Sequence, residues 1–231
     1  MPRDLILSSG FLAFARHLGV VQALRAANEL PAAVVGTSSG AVVGALTCAG
    51  VPPETILRDL EGMIPWRGMR LHARPWQGLC EAPALRALLE RYLPARIEDL
   101  PTPLAVGVVA PGKQHRLLTE GPLVEAVLAS CAMPGIFAPI VVAGVSMADG
   151  GAVDRVAVDP WRRWRPGRQA WVHQVARTAG VDRSEGRAGT TWIETPRSGA
   201  SFLSLGDVRG QAEVARQLAA AVLARAKQNH E

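Results

Sequence analysis

Apolar positions along this chain fall into short unbroken runs separated by longer stretches with helical spacing. Leu5-Ile6-Leu7 with Ser8, and Ala32 to Gly36, are apolar without alternation, as expected of strands buried on both faces of a sheet. Between them Leu12, Ala15, Leu18, Val21 and Leu24 recur at steps of three, predicting a helix from Phe11 to Glu29. A second helix is predicted from Ala41 to Cys48, closed by Gly50 ahead of Pro52-Pro53. Strand, helix, strand, helix in this order predicts right-handed crossovers and an α/β domain with a mainly parallel sheet.

Residues 62–83 are rich in Pro, Gly, Trp and Arg and carry no periodicity, so they read as a loop or lid. Pro83 then opens a helix bearing Leu85, Leu88, Leu89 and Tyr92. Leu104 to Ala110 reads as another buried strand. After the turn at Pro111-Gly112 comes a short strand around Arg116-Leu117-Leu118. Pro122 leads into a helix from Leu123 to Cys131, and Ile140-Val141-Val142 is again strand-like. Trp171 to Val175 is a weaker strand, and Gln211 to Lys227 an Ala-rich helix with Val214, Leu218 and Val222 on one face. No repeat, low-complexity tract or linker interrupts the pattern, so a single domain over residues 1–231 is expected.

Composition narrows the classes. With 48% hydrophobic content, the 231 residues can bury one sizeable core. Ala41 to Leu46 is among the longest apolar runs and is far too short to span a bilayer. Met1-Pro2-Arg3-Asp4 meets an acidic residue at once, without the long apolar segment of a signal peptide. Cys48, Cys80 and Cys131 have no metal-ligand spacing and sit in apolar or helical sequence, which favours free thiols in the cytoplasm.

The net charge is +5, and much of the excess lies in Trp161-Arg162-Arg163-Trp164-Arg165-Pro166-Gly167-Arg168. Arginines among tryptophans suit an anionic membrane surface, or a solvated loop with its rings tucked against the fold. The same mixture suits nucleic acid least well, and none is expected as a partner.

Chemistry enters at Gly36-Thr37-Ser38-Ser39-Gly40, which fits Gly-x-Ser-x-Gly with Ser38 at the centre. A strand precedes it and a helix follows, as a nucleophile elbow requires. Gly36 and Gly40 are then needed because side chains there would crowd the neighbouring elements. Ser38 would point into a cleft at the positive end of the following helix, while the Ser39 amide would donate to an oxyanion. The alternative is a serine that merely caps that helix.

A nucleophilic serine needs a base. Asp149, in Met147-Ala148-Asp149-Gly150-Gly151, is the carboxylate that best follows a strand, although Asp-Gly-Gly is also ordinary turn chemistry. Of the five histidines, His173 lies in the weak late strand. The order Ser38, Asp149, His173 matches that of an α/β-hydrolase triad, so a triad stays open. No HExxH, paired Cys/His spacing or GxxxxGK[ST] is present, and neither a metal nor an organic cofactor is expected.

Three blocks together resemble the patatin-like phospholipases, serine lipid acyl hydrolases. GTSSGAVVGALTCAG (Gly36 to Gly50) is similar to the family's elbow and following helix. ASCAMPGIFAP (Ala129 to Pro139) is similar to its Ala-Ser-x-Ala-x-Pro-x-x-Phe-x-Pro segment. ADGG (Ala148 to Gly151) is similar to its Asp-Gly-Gly block. The resemblance covers residues 5–158 and implies a three-layer α/β/α sandwich.

It also implies a Ser–Asp dyad, with Ser38 as nucleophile and Asp149 as base, acting on fatty acyl esters. The family's oxyanion loop, Gly-Gly-Gly-x-Arg-Gly, aligns with Ser9-Gly10-Phe11-Leu12-Ala13-Phe14, retaining Gly10 and lacking the arginine. The amides of Gly10 and Phe11 would join that of Ser39 in the oxyanion hole. Arg155-Val156-Ala157 replaces the family's Asn-x-Pro after the Asp block. These departures keep a second outcome open, a non-enzymatic descendant that binds lipid or a partner protein. Membrane association is expected to be peripheral, through residues 161–168 or an apolar rim near residues 62–80.

Overall fold

The computed structural model describes residues 2–73, 78–176 and 186–228. The first unbroken apolar run forms β1 (Asp4–Leu7), followed by α1 (Phe14–Ala26), β2 (Val34–Thr37) and α2 (Ser39–Cys48). Helix α1 starts three residues later than its apolar spacing predicts, because residues 10–13 form a loop in which Leu12 takes φ 48°. A short helix, α3 (Pro53–Leu60), buries Ile56, Leu57 and Leu60 behind a proline start. The aperiodic segment then makes a single turn of 3₁₀ helix (Pro65–Gly68) and a small hairpin of β3 (Arg70–Leu71) and β4 (Cys80–Glu81).

Helix α4 (Pro83–Tyr92) leads to β5 (Leu104–Ala110) and β6 (Gln114–Leu118), and α5 (Leu123–Ser130) to β7 (Ile140–Val142) and β8 (Val145–Asp149). The remaining elements are α6 (Val158–Trp164), β9 (Ala170–Val175), β10 (Thr190–Thr195) and α7 (Val208–Gln228).

The sheet runs β10-β9-β1-β2-β5-β8-β7, with β6 also paired to β5. Strands β10, β9, β1, β2 and β5 are parallel, and β6, β7 and β8 pair antiparallel beyond them. It is a mixed, mostly parallel sheet flanked by helices.

Consecutive side chains of the buried strands go to opposite faces. Leu5, Leu7 and Val34 join the core under α1, α2, α5 and α7. Ile6 and Val35 join Ala105, Val156, Val158 and Trp161 on the other face, under α6. Helices α1 and α7 approach closely at Gly19, where a β-carbon would lie 2.0 Å from the Ala212 carbonyl oxygen.

One detail of register positions the site. Strand β6 occupies one edge of β5 from Val106 to Ala110. The other edge is shared by β2, ending at Thr37 opposite Gly107, and β8, whose Asp149 lies opposite Val108. Where β2 leaves the sheet at Ser38, Asp149 therefore arrives on the same edge, one residue further along.

Candidate active site

The turn after β2 is held by steric exclusion. Ser38 has φ 55° and ψ −120°, a conformation that L-residues rarely adopt and that persists only where the surroundings enforce it. A β-carbon at Gly36 would lie 2.4 Å from the Gly40 carbonyl oxygen, and one at Gly40 would lie 2.3 Å from that of Leu7. Both approaches are impossible for any other residue. The Ser38 side chain makes no capping bond to α2, so the helix-cap reading of this serine does not describe it. Its amide instead donates to Ser130 Oγ at 2.8 Å, and that hydroxyl donates to the Gly107 carbonyl at 2.6 Å. Ser130, on α5, thus ties the elbow to β5.

Asp149 is 4% exposed. It accepts from the Gly151 amide at 2.7 Å, and the Ser38 hydroxyl lies close enough to favour its charged form. Burial pushes its carboxyl up from 3.8 to about 6, and the Gly151 amide and then the Ser38 hydroxyl oppose that shift. The glycines after it permit close approach: a β-carbon at Gly150 would lie 2.5 Å from the Gly107 carbonyl oxygen, and one at Gly151 2.5 Å from Ser9 Oγ. The Cys131 thiol lies beside the pair, with its pKa raised mainly by burial and then by the Asp149 charge.

The loop after β1 brings Gly10 and Phe11 to the same cavity as Ser38 and Ser39. Among the described residues, none accepts a hydrogen bond from the amides of Gly10 or Phe11. Their carbonyls, by contrast, are fixed. Ser39 Oγ donates to the Gly10 carbonyl at 2.7 Å, and Ser198 Oγ to the Phe11 carbonyl at 2.7 Å. Arg155, 1% exposed, donates to the carbonyls of Ser9 and Val175, each at 2.9 Å, and its own carbonyl accepts from the Ser9 amide. The arginine that replaces the expected Asn-x-Pro start therefore clamps the loop to β9 and to the Asp149 turn.

Gly10, Phe11, Ser38, Ser39 and Cys131 open onto a cavity of about 660 Å³ whose lining is mostly apolar, including Phe14, Val42, Leu60, Leu128, Met133 and Phe137. Its mouth is framed by the 3₁₀ turn, the β3–β4 hairpin and the Phe202 region, joined where the Trp66 amide donates to the Phe202 carbonyl. Residues 74–77 of the expected lid lie outside the described residues. Among the described residues, no group of His, Cys, Asp and Glu is arranged to hold a metal ion.

Much of the Trp/Arg segment is partnered within the fold. Trp161 is 1% exposed and donates to the buried Asp4 at 3.0 Å. Arg165 and Arg168 pair with the same carboxylate, and Arg162 with Asp159 and two carbonyls. Trp161, Arg162, Arg165 and Arg168 thus have partners within the fold, while Arg163 is exposed.

His173 also turns away from the elbow. Its ring nitrogens meet His17 Nδ1 at 2.8 Å and Thr195 Oγ1 at 2.9 Å, leaving neither for Ser38. Sequence reasoning does not single out Ser130, Arg155, Ser198 and His17 as parts of a site. Ser130 stands within ASCAMPGIFAP and Arg155 is visible as a departure from the family pattern; nothing local marks Ser198 or His17.

A family model described as Patatin-like phospholipase matches residues 5–161. Over 168 residues the chain is 34% identical to an uncharacterized NTE family protein of Mycobacterium bovis, and equally to one of Mycobacterium tuberculosis. The match takes in 68% of this chain and 44% of each relative, so the chain spans less than half the length of the curated relatives it matches.

Among solved structures it is similar to VipD from Legionella pneumophila, with TM-score 0.58, 14% identity, and coverage of 97% of this chain and 67% of VipD. It is also similar to the type III effector protein ExoU, with TM-score 0.50, 16% identity, and coverage of 97% and 53%. At these identities the likeness concerns the fold. With two thirds of its length matched by the family model, the chain belongs to the patatin-like phospholipase family.

Proposed function

We propose that this chain is a serine acyl hydrolase that cleaves fatty acyl esters of lipids through an acyl-enzyme. The observation that carries the reading is Ser38, held in a strained elbow at an apolar cavity with the buried Asp149 carboxyl beside its hydroxyl. Ser38 Oγ attacks the ester carbonyl while Asp149 accepts its proton. Charge developing on the carbonyl oxygen is met by the amides of Ser39, Gly10 and Phe11 and by the positive end of α2. Asp149 then returns the proton to the departing alcohol. It next takes one from the water that attacks the acyl-Ser38 ester and gives it to Ser38 Oγ as that oxygen leaves, freeing the acid and restoring both residues. A carboxyl raised to about 6 by burial suits that duty better than an ordinary one, since it holds a transferred proton more firmly. Every step uses this chain's own residues.

Contact with an anionic membrane is assigned to the mouth of the cavity. Trp66, Leu71, Leu79 and Leu203 are 51%, 79%, 53% and 71% exposed there, beside Arg67 and Arg70. The contact proposed is peripheral; no described helix is long and apolar enough to cross a membrane.

A fluorophosphonate probe tests the enzyme reading. Folded protein is expected to be labelled on one serine, with labelling abolished in Ser38→Ala. Absence of labelling in the folded wild type would instead favour a non-enzymatic lipid- or partner-binding protein.

A further inference from the structure

Behind the oxyanion loop lies a polar chain that the proposed reaction does not touch. Its members are Thr195, His173, His17 and Ser39, and each is at most 3% exposed. The links are Thr195 Oγ1 to His173 Nε2 at 2.9 Å, His173 Nδ1 to His17 Nδ1 at 2.8 Å, and His17 Nε2 to Ser39 Oγ at 3.3 Å. Ser39 Oγ then reaches the Gly10 carbonyl at 2.7 Å. The two rings meet edge to face, with centroids 4.6 Å apart.

The carbonyl at one end dictates where every proton sits. An O···O distance of 2.7 Å requires a proton between the oxygens, and a carbonyl can only accept, so Ser39 donates. With its proton committed, Ser39 Oγ accepts from His17 Nε2–H. His17 Nδ1 is then the bare nitrogen of a neutral ring, and His173 must donate to it from Nδ1–H. That leaves His173 Nε2 as acceptor for the Thr195 hydroxyl.

Both rings are disfavoured as cations: His17 by burial, which takes it down to about 3, and His173 by burial and then by the charges of His17 and Arg16. Arg16 itself spans the carbonyls of Gln211 and Arg197 nearby.

From this chain we infer that His17 and His173 are positioning residues. They are a neutral, proton-ordered relay that fixes the Ser39 hydroxyl, and through it the Gly10 carbonyl, so that the amides of Gly10 and Phe11 face the reacting carbonyl. The inference rests on the acyl-hydrolase reading for its catalytic consequence. The proton order does not depend on that reading. The relay also gives the second elbow serine a side-chain function distinct from its amide. In a loop with one glycine of the family's four, it supplies from outside the restraint that the loop's own sequence does not.

Two measurements test it on the folded full chain. Proton–nitrogen correlation spectra of the imidazoles read the tautomers directly. We expect His17 protonated on Nε2 and His173 on Nδ1; the reverse pair, or a charged ring at neutral pH, overturns the ordering. Turnover of a p-nitrophenyl acyl ester reads the positioning. Ser39→Ala and His17→Phe are expected to lower kcat roughly tenfold with KM nearly unchanged, since only transition-state contacts are displaced. His17→Gln keeps an N–H near the ε position and should recover most of the loss, which a purely structural role would not require.

Thr195→Val, at the far end, should cost less than Ser39→Ala and serves if His17→Phe fails to fold. Folded Ser39→Ala with wild-type kcat overturns the positioning role. A wild type with neither turnover nor phosphonate labelling sinks the hydrolase reading instead, while the tautomers still decide the relay.

Discussion

The elbow and the oxyanion loop lie side by side at the cavity, yet they are held in place by opposite means. At the elbow the restraint is absence: no β-carbon fits at Gly36 or Gly40, because backbone atoms of Gly40 and Leu7 lie 2.4 and 2.3 Å from where one would sit. The loop is restrained by presence, through side chains sent from elsewhere in the chain: Arg155, Ser198 and Ser39 grip the carbonyls of Ser9, Phe11 and Gly10. A glycine cage is local and recurs as a motif. A set of clamps can be assembled from any residues that reach. The difference explains how the chain departs from the family's glycine-rich loop while retaining its elbow almost unchanged.

The comparison breaks most sharply at its glycines. Gly40→Ala would drive a β-carbon into backbone oxygens of Leu7 and Ser8, 2.3 and 2.7 Å away, which cannot yield without separating β1 from α2. We expect a loss of roughly 3 kcal/mol or more of stability, seen as a collapse of the urea midpoint or of soluble yield. Gly10→Ala meets β-carbons of Ala13 and Val175 at 2.9 and 3.1 Å, a conflict that a small loop shift relieves. That variant should fold, losing about 1 kcal/mol, and lose labelling rate instead. Equal destabilisation by the two substitutions would erase the distinction.

Arg155→Met tests the clamp from the other side. It strips charged donors from the Ser9 and Val175 carbonyls while also removing the cost of burying a cation. The net expectation is about 2 kcal/mol of stability lost, measured by urea unfolding. Labelling of Ser38 should slow as the loop drifts. A variant as stable and as reactive as the wild type would show that the loop holds itself.

This contrast also governs what the sequence discloses. The buried strands β1, β2 and β5 are legible because a short unbroken apolar run between turn residues suits a strand covered on both faces and little else. The elbow is legible because its glycines lie within five residues. Asp149 is legible for a similar reason, with its glycines next to it. The relay is not: His17 and His173 are 156 positions apart, and each alone is an ordinary histidine in an apolar segment. Strand β10, reading Thr-Thr-Trp-Ile-Glu-Thr, hides because an edge strand with polar positions carries little apolar signal. The predicted start of α1 fails at Leu12, whose apolar side chain keeps helical spacing while its backbone, at φ 48°, has left the helix. The Trp/Arg run holds a partner that composition does not reveal: Trp161, Arg165 and Arg168 converge on the buried carboxylate of Asp4, far away in sequence.

Titration gives the gentlest test, because it separates the two halves without altering either. On the elbow side, Asp149 is shifted up to about 6, so its ionised form, the competent base, dominates only above that pH. On the loop side, His17 and His173 stay neutral throughout, their pKa values lowered by burial. Turnover should therefore fall on acidification along one limb near pH 6, reaching about a tenth of the plateau one unit lower, equivalent to roughly 1.4 kcal/mol.

The same shift has a defined sign in stability. The folded protein binds the Asp149 proton more tightly than the unfolded chain. Its contribution to stability is therefore most favourable below about pH 4 and is lost as pH rises through about 6. Variants of the loop clamps, Arg155→Met among them, should lower the plateau and leave the limb where it is. A limb that moves with a loop substitution would mean that loop and base are one electrostatic unit, and that the division between elbow and loop is geometric alone.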